Sequence, residues 1–294
     1  MLKKAIIVIF ILCCNINQKD FINYDRCVWN GMLAYKREDF SKSLKFFQKA
    51  FEIIPDENPS DYFYAAAAAL KLKQNTVAEE LIVNSILNTN ASKDYFNSFS
   101  EFNEFRKTKT LQDIEKKYDS LKELFLNKSN NRFLNDELNK LRAKDQKVRK
   151  KGDKTLMRYT DSININRLIN ITKEYGWQKK GWIILWHQRG TYEDDDNYVW
   201  KYFKPYINEQ IREGKIRKDF WAIFEEEISI LSKKKQLYGF YFRQFKSFPI
   251  IDIEGVDERR KKIGRPPLWY LNEVYGVELP ETYKTNNSKT IPLD

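Results

Sequence analysis

Apolar side chains recur at helical spacing along most of the chain, and this pattern predicts a mainly α fold. Leu44, Phe47 and Phe51 line one face of a segment that Pro55 ends. Residues that interrupt helices are scarce, with 10 Gly and 8 Pro among 294 residues. This scarcity favours long helices over a sandwich of short strands.

The same pattern divides the chain into two helical regions. We expect helical hairpins over residues 22–126 and a compact, mostly helical domain over residues 132–283. The polar run Asn-Lys-Ser-Asn-Asn at 127–131 marks the boundary between them. The polar tail, 284–294, is predicted to be disordered.

Three segments within these regions carry more detailed predictions. Residues 98–126 have apolar side chains at helical spacing and predict an amphipathic, highly charged segment. We expect a helix over residues 164–175, with Gly176 as its natural end. The short apolar run at 182–187 can be a buried helix or a strand, because its periodicity does not decide between them.

The first 18 residues are typical of a signal peptide. Lys3 and Lys4 precede an unbroken apolar run over residues 5–12. A run of this length suits the apolar region of a signal peptide, whereas a spanning helix needs about 20 residues. We therefore expect an exported protein, periplasmic or associated with the cell envelope, with no transmembrane segment after cleavage.

The type of cleavage has two interpretations. Ordinary cleavage near Asn17 is favoured, because a lipoprotein signal requires a small residue before its lipid-acceptor Cys. Leu12 and Cys13 fit that requirement poorly, so lipid anchoring at Cys13 or Cys14 is the alternative. If the leader is removed, Cys27 is the only thiol left and cannot form an internal disulfide, so we expect core packing to hold the fold.

Charge narrows the range of partners only slightly. The chain carries 52 basic and 41 acidic side chains, a net charge of +11. Such a surface could favour acidic partners or an anionic membrane face, but a solvated Lys-rich surface is the favoured interpretation. Export would also remove access to the genome, so we expect no nucleic-acid partner.

Residues 24–55 resemble a tetratricopeptide repeat. The resemblance rests on small and large packing residues at that repeat's spacing, namely Gly31, Phe40, Phe47, Ala50 and Pro55. The chain departs from the repeat at Ser43, Cys27 and Asn30. A second pair of segments, 62–73 and 77–87, matches more weakly. The resemblance implies a protein or peptide partner bound along the face of the helical array.

The second half resembles an uncharacterised exported domain family, domain of unknown function 6624. The matching motifs are Asp145-Gln146-x-x-Arg149, Tyr175-Gly176-Trp177, the segment ending in His187, Glu213-Gly214-Lys215, Leu237-Tyr238-Gly239 and Val256-Asp257-Glu258-Arg259-Arg260. The resemblance implies export and a frequent helical-repeat N-terminus, but no known reaction. The chain departs from the family at two pairs, Glu226-Glu227 and Phe240-Tyr241.

His187 is the only histidine and the main candidate for chemistry. A histidine can act as a general base near neutral pH. Its candidate helpers are Asp145, Arg149, Asp257 and Arg259. Each residue also has a structural interpretation. His187 can be a packed core histidine, Asp145 and Arg149 can form a surface pair one helical turn apart, and Arg259 or its neighbour can bind Asp145.

No cofactor or metal site is predicted. A chain with one histidine cannot form a multi-histidine zinc site, and the acidic run at 193–196 lacks the ligand spacing of a calcium loop. We find no phosphate-binding Gly loop, dinucleotide fingerprint or Gly-x-Ser-x-Gly motif. Two hypotheses of function follow. The first is an exported interaction or scaffold protein of the cell envelope. The second is a hydrolase-type enzyme centred on His187.

Overall fold

The computed structural model describes residues 19–128, 131–284 and 291–292, and in these ranges the chain is mainly helical. The first half contains α1 (Phe21–Lys36), α2 (Phe40–Ile53), α3 (Pro59–Lys71), α4 (Asn75–Thr89), α5 (Lys93–Ser98) and α6 (Lys109–Leu126). The second half contains α7 (Asn131–Lys151), α8 (Lys154–Tyr175), α9 (Trp182–Trp186), α10 (Tyr198–Arg212), α11 (Ala222–Lys233), α12 (Val256–Lys262) and α13 (Leu268–Tyr275). Only an isolated bridge, between Gln236 and Ile250, represents β structure in the described ranges. The predicted mainly α fold is confirmed.

Local signals explain where several helices begin and end. The side chain of Asp20 accepts a hydrogen bond from the backbone N–H of Asn23 at 3.0 Å, and Asp39 accepts one from Lys42 at 3.1 Å. Asp153 caps α8 in the same way. The predicted stop at Gly176 is confirmed, since this residue ends α8 with φ 76°.

The first hydrophobic core is built from α1 to α6. Gly31 allows α1 and α2 to approach closely, because a Cβ atom there would lie 3.2 Å from the ring of the fully buried Phe47. The five alanines at 65–69 are also fully buried, so α3 has neighbours on most of its sides. Both features agree with the close packing predicted from sequence.

The C-terminal end of the chain packs onto this first core. Trp269, Tyr270 and Val274 of α13 belong to it, and α13 lies against α1. The Asn30 side chain donates a hydrogen bond to the carbonyl of Ile291 at 3.0 Å, and Ile291 is buried. Residues on either side of the predicted boundary therefore share one core.

The second core lies among α7 to α11. Its fully buried members include Leu168 and Ile171 of α8, Leu185 of α9, Phe203 of α10 and Phe224 of α11. Aromatic rings fill much of the space, and Phe224 contacts Trp186, Trp200 and Trp221. This core forms the rigid support for the loop that carries His187.

Three elements differ from the sequence prediction. The amphipathic segment 98–126 is interrupted at residues 106–108, where Thr108 Oγ1 donates to the carbonyl of Phe105 at 2.7 Å. Helix α8 begins ten residues before the predicted start at 164, since Asp153 caps its first turn. The apolar run at 182–187, open between helix and strand, forms the short helix α9.

Two predictions concern the ends of the chain. The predicted signal peptide, residues 1–18, lies outside the described residues, and so does most of the tail at 284–294. Among the helices that the structure describes, none combines the length and apolar character needed to cross a bilayer.

Candidate active site

Three helices of the second core bring a small group of polar side chains together. Asp145 and Arg149 lie one turn apart on α7, and Asp161 lies on α8, which packs against α7. His187 directly follows α9, whose Ile184 and Leu185 are buried in the core. Because α7 also packs against α9, the histidine is held beside the carboxylate of Asp145.

Asp145 is the centre of this group. Its Oδ1 lies 2.8 Å from His187 Nδ1 and 3.1 Å from Arg149 Nε. Its Oδ2 accepts a hydrogen bond from Gln146 Nε2 at 2.7 Å. Arg149 also donates through Nη2 to Asp161 Oδ1 at 2.6 Å, so its guanidinium bridges two carboxylates. Each group is therefore fixed by at least one other.

These contacts assign the histidine tautomer. A carboxylate oxygen and an unprotonated ring nitrogen would repel each other at 2.8 Å, so the proton lies on His187 Nδ1 and is donated to Asp145. Arg149 Nε, 3.1 Å from the same nitrogen, then donates to Asp145 alone. In the neutral ring, Nε2 keeps its lone pair.

The other ring nitrogen of His187, Nε2, points away from the contact with Asp145 and is free within the described residues. It forms no hydrogen bond with any part of the chain that the structure describes, and it is not among the buried polar atoms that lack a partner there. The His187 side chain is 11% exposed, whereas Asp145 is 1% exposed. A buried carboxylate thus orients an imidazole whose other nitrogen can reach solvent, the arrangement of a general base.

The surroundings favour the neutral base. Burial lowers the pKa of His187 below its ordinary value, and the nearby Arg149 charge lowers it further. Asp145 acts in the opposite direction, but it does not reverse the net shift. Since a histidine with a lowered pKa loses its proton at a lower pH, His187 is unprotonated near neutral pH.

Asp145, Asp161 and His187 are residue types that often bind metal ions, but their arrangement does not suit an ion. Ligand atoms of Asp145, Asp161 and His187 all lie within 4.8 Å of one another. However, the Arg149 guanidinium already donates to both carboxylates. A divalent cation would meet this fixed positive charge, so the residues present do not fit a metal.

Two predicted helpers have other partners. Asp257 accepts hydrogen bonds from the backbone N–H of Leu268 at 2.6 Å and from the hydroxyl of Tyr283 at 2.7 Å. Arg259 donates to the carbonyl of Leu237 at 2.9 Å and to Asp252 Oδ2 at 2.9 Å. Both side chains therefore hold loops, and neither contacts the His187 group within the described residues.

Two interpretations drawn from sequence need correction. The Asp145–Arg149 pair is not a surface link, because Asp145 is almost completely buried. Asp145 is also not bound by Arg259 or Arg260. Arg260 instead donates to the carbonyls of Pro266 and Tyr238, at 2.6 and 2.7 Å.

Two residues of the group, Asp161 and Gln146, were not predicted from the sequence as partners in this site. Asp161 lies on α8 without any motif around it, and only the packing of α8 against α7 places it beside Arg149. Gln146 was part of a quoted motif, but its contact with Asp145 depends on a side-chain rotamer. The acidic run at 193–196, whose spacing favours a solvated loop over a calcium site, is exposed.

Comparison of the chain with models of protein families, with curated proteins and with solved structures finds no match. The resemblances to a tetratricopeptide repeat and to the uncharacterised exported family therefore stay predictions. The function must be argued from the geometry of the site itself.

Proposed function

We propose that this protein is an enzyme of the hydrolase type in which His187 is the general base. One observation carries the proposal, namely the 2.8 Å contact between His187 Nδ1 and the buried Asp145 carboxylate. A carboxylate in this position fixes the ring orientation and stabilises the imidazolium that forms during proton transfer. A histidine that only packed in the core would not need a free Nε2.

The proposed reaction assigns a role to each residue. His187 Nε2 removes a proton from a water molecule, and the oxygen of that water attacks the substrate. The imidazolium then returns the same proton to the leaving group, so the enzyme ends in its starting state. Asp145 stabilises the imidazolium, and Arg149 holds Asp145 in place through its second contact with Asp161.

The interaction or scaffold role expected from sequence stays a prediction. Tetratricopeptide-like arrays bind partners along the face formed by the first helix of each pair. Here the corresponding helices are α1 and α3, and α13 packs against α1. Tyr270 of α13 lies in the same hydrophobic core as residues of α1 and α3. Because this face is partly covered by the chain itself, the geometry favours the enzyme.

We also propose that the enzyme works outside the cytoplasm, in the periplasm or at the cell envelope. The support is the positively charged and apolar leader that begins with Lys3 and Lys4. Immunodetection of the native chain in periplasmic and cytosolic fractions tests this location. A chain found only in the cytosol would contradict it.

A hydrolysis screen tests the proposed activity. Untagged protein would be incubated with chromogenic esters, phosphate esters, glycosides and peptide amides, beside the His187→Gln variant. We expect one class to be hydrolysed by the wild type and not by His187→Gln, since a glutamine cannot act as a general base. Lys147→Gln is the matched control. Lys147 is an exposed residue of α7, so this variant should keep full activity.

Two results would contradict the proposal. One is a wild-type protein that hydrolyses none of the four classes. The other is an activity that His187→Gln retains while its circular dichroism spectrum and melting temperature match the wild type. In the second case the reaction would take place elsewhere on the chain.

A further inference from the structure

A second polar site is lined by residues from both halves of the chain and shares none with the His187 group. It is a cavity of about 360 Å³ that is open to solvent on one side and is lined mainly by α1, α3, α12, α13 and the segment at 265–266. Its walls include the aromatic side chains Trp29, Tyr64 and Tyr270. A cavity of this size lies at the lower end of the range for small-molecule sites.

Asp61 is a buried carboxylate in the wall of this cavity. It is 6% exposed, and its Oδ2 accepts a hydrogen bond from the Tyr24 hydroxyl at 2.7 Å. Its Oδ1 accepts weaker hydrogen bonds from Ser60 at 3.2 Å and Asn58 at 3.4 Å. All of these donors are neutral, and no cationic group of the described chain lies within ion-pair distance.

Arg260 is a buried guanidinium in the same wall, and it is 2% exposed. Its Nε donates to the carbonyl of Pro266 at 2.6 Å, and its Nη1 donates to that of Tyr238 at 2.7 Å. Nη2 has no hydrogen-bond partner in the part of the chain that the structure describes, and no carboxylate there forms an ion pair with this residue. One donor edge therefore remains available to a ligand.

The other cations around the cavity already have acidic partners. Arg217 pairs with Asp25 and with Glu57, the latter at 3.3 Å. Lys179 pairs with Glu57 at 2.7 Å, and Arg265 pairs with Asp219. The cavity wall thus holds one buried carboxylate, Asp61, and one buried guanidinium, Arg260, and neither forms an ion pair within the described residues. Charges farther away act on both groups, namely Arg217 on Asp61, and Asp257 and Glu226 on Arg260.

We propose that this cavity binds a small zwitterion of the α-amino-acid class, with its ammonium at Asp61 and its carboxylate at Arg260. A carboxylate suits a guanidinium that still has a free donor edge. An ammonium suits a buried carboxylate, and the surrounding tyrosine and tryptophan rings favour a cation through their π faces. Such a ligand satisfies both buried charges at once, which a purely acidic or purely basic molecule would not do.

The environment of Asp61 agrees with this assignment. Burial raises its pKa to about 6, and the surrounding hydrogen bonds lower it less than burial raises it. Burial raises the pKa of Tyr64, Tyr270 and Tyr275, and the Asp61 charge raises the pKa of each further. The site is independent of the His187 group, so the proposal goes beyond the proposed hydrolase activity.

Calorimetric titration with free amino acids tests the proposal. The twenty common amino acids would be titrated into the untagged full-length protein, followed by two analogues of each ligand found. One analogue is the amide, which lacks the carboxylate, and the other is the deaminated acid, which lacks the ammonium. We expect at least one amino acid to bind and each analogue to bind at least tenfold more weakly.

Variants separate this site from nonspecific binding. Asp61→Asn keeps the size of the side chain and an oxygen that accepts hydrogen bonds, so we expect it to fold and to bind the amino acid at least tenfold more weakly. Asp119→Asn, whose carboxylate is 78% exposed on α6, is the matched control and should bind normally. Arg260→Lys, which keeps the charge but not the fork of donors, should also bind more weakly.

Three results would overturn the proposal. They are the binding of no amino acid, equal binding of the parent ligand and both analogues, and unchanged binding by a folded Asp61→Asn protein. None of them depends on hydrolysis, so a failure here is distinguishable from a failure of the His187 mechanism. Unchanged melting temperatures of the variants would confirm that any loss of affinity is local.

Discussion

Replacing Asp145 by Asn is expected to lower the hydrolytic rate constant by about 10²- to 10⁴-fold, the usual range for general acid–base catalysis. The amide nitrogen of Asn can donate to His187 Nδ1, which the carboxylate cannot do. The ring then carries its proton on Nε2 and loses the lone pair that accepts a proton from water. The imidazolium would also lose the negative charge now 2.8 Å away.

The measurement is kcat and KM for the substrate class that the screen identifies. Asp136→Asn is the matched control, because Asp136 is exposed on the same helix, α7, and should keep the wild-type rate. A drop in kcat at constant KM is the expected signature, since Asp145 is too buried to contact substrate directly. A folded Asp145→Asn protein with the wild-type kcat would contradict the role assigned to this residue.

Replacing Glu226 by Leu is expected to reduce the free energy of unfolding by at least about 3 kcal/mol. Glu226 is fully buried on α11, and its carboxylate accepts hydrogen bonds from the backbone N–H groups of Leu237, Tyr238 and Phe240. Each buried donor left without an acceptor costs about 1–3 kcal/mol. The total is a large share of the roughly 5–15 kcal/mol by which a folded protein is stable.

Chemical denaturation followed by circular dichroism measures this loss. Glu226→Gln keeps one acceptor oxygen and should be destabilised less than Glu226→Leu. Glu258→Leu, at an exposed position on α12, serves as the control and should change stability by less than about 1 kcal/mol. If Glu226→Leu matched the control, the three backbone hydrogen bonds would not be what holds the loop after α11.

Helix positions were predictable where short-range signals agree with the apolar pattern. Pro55 follows the end of α2, and Gly176 ends α8, as the sequence predicts. The first ten residues of α8 were missed because the apolar pattern is interrupted by polar residues such as Thr155 and Ser162. The signal that marks this start is Asp153, whose side chain accepts from the N–H groups of Thr155 and Leu156.

The candidate site was predictable only in part. The spacing of Asp145 and Arg149 places them on one face of a helix, and their side chains do form a hydrogen bond at 3.1 Å. Their contact with His187, which is 38 positions beyond Arg149, depends on how α7 packs against α9. Asp257 and Arg259 do not contact the His187 group within the described residues, because their partners lie among residues 237–283.

The two departures from the resembled family lie against each other in space. Glu226 accepts a hydrogen bond from the backbone of Phe240 at 2.9 Å, and Glu227 accepts one from the Tyr241 hydroxyl at 2.6 Å. A change in one pair therefore alters the surroundings of the other. Glu227 also accepts a hydrogen bond from Arg189 at 3.3 Å. Because Arg189 lies two residues after His187, these positions belong to the surroundings of the candidate site.

The most direct test of the central claim is an NMR titration of the single histidine. Protein without a histidine tag would be labelled with ¹⁵N, so every imidazole signal comes from His187. The account predicts a neutral ring with its proton on Nδ1 and a pKa below the ordinary value for imidazole, and a still lower pKa in Asp145→Asn, because Asp145 raises it. A neutral ring protonated on Nε2, or a pKa above the ordinary value, would contradict it.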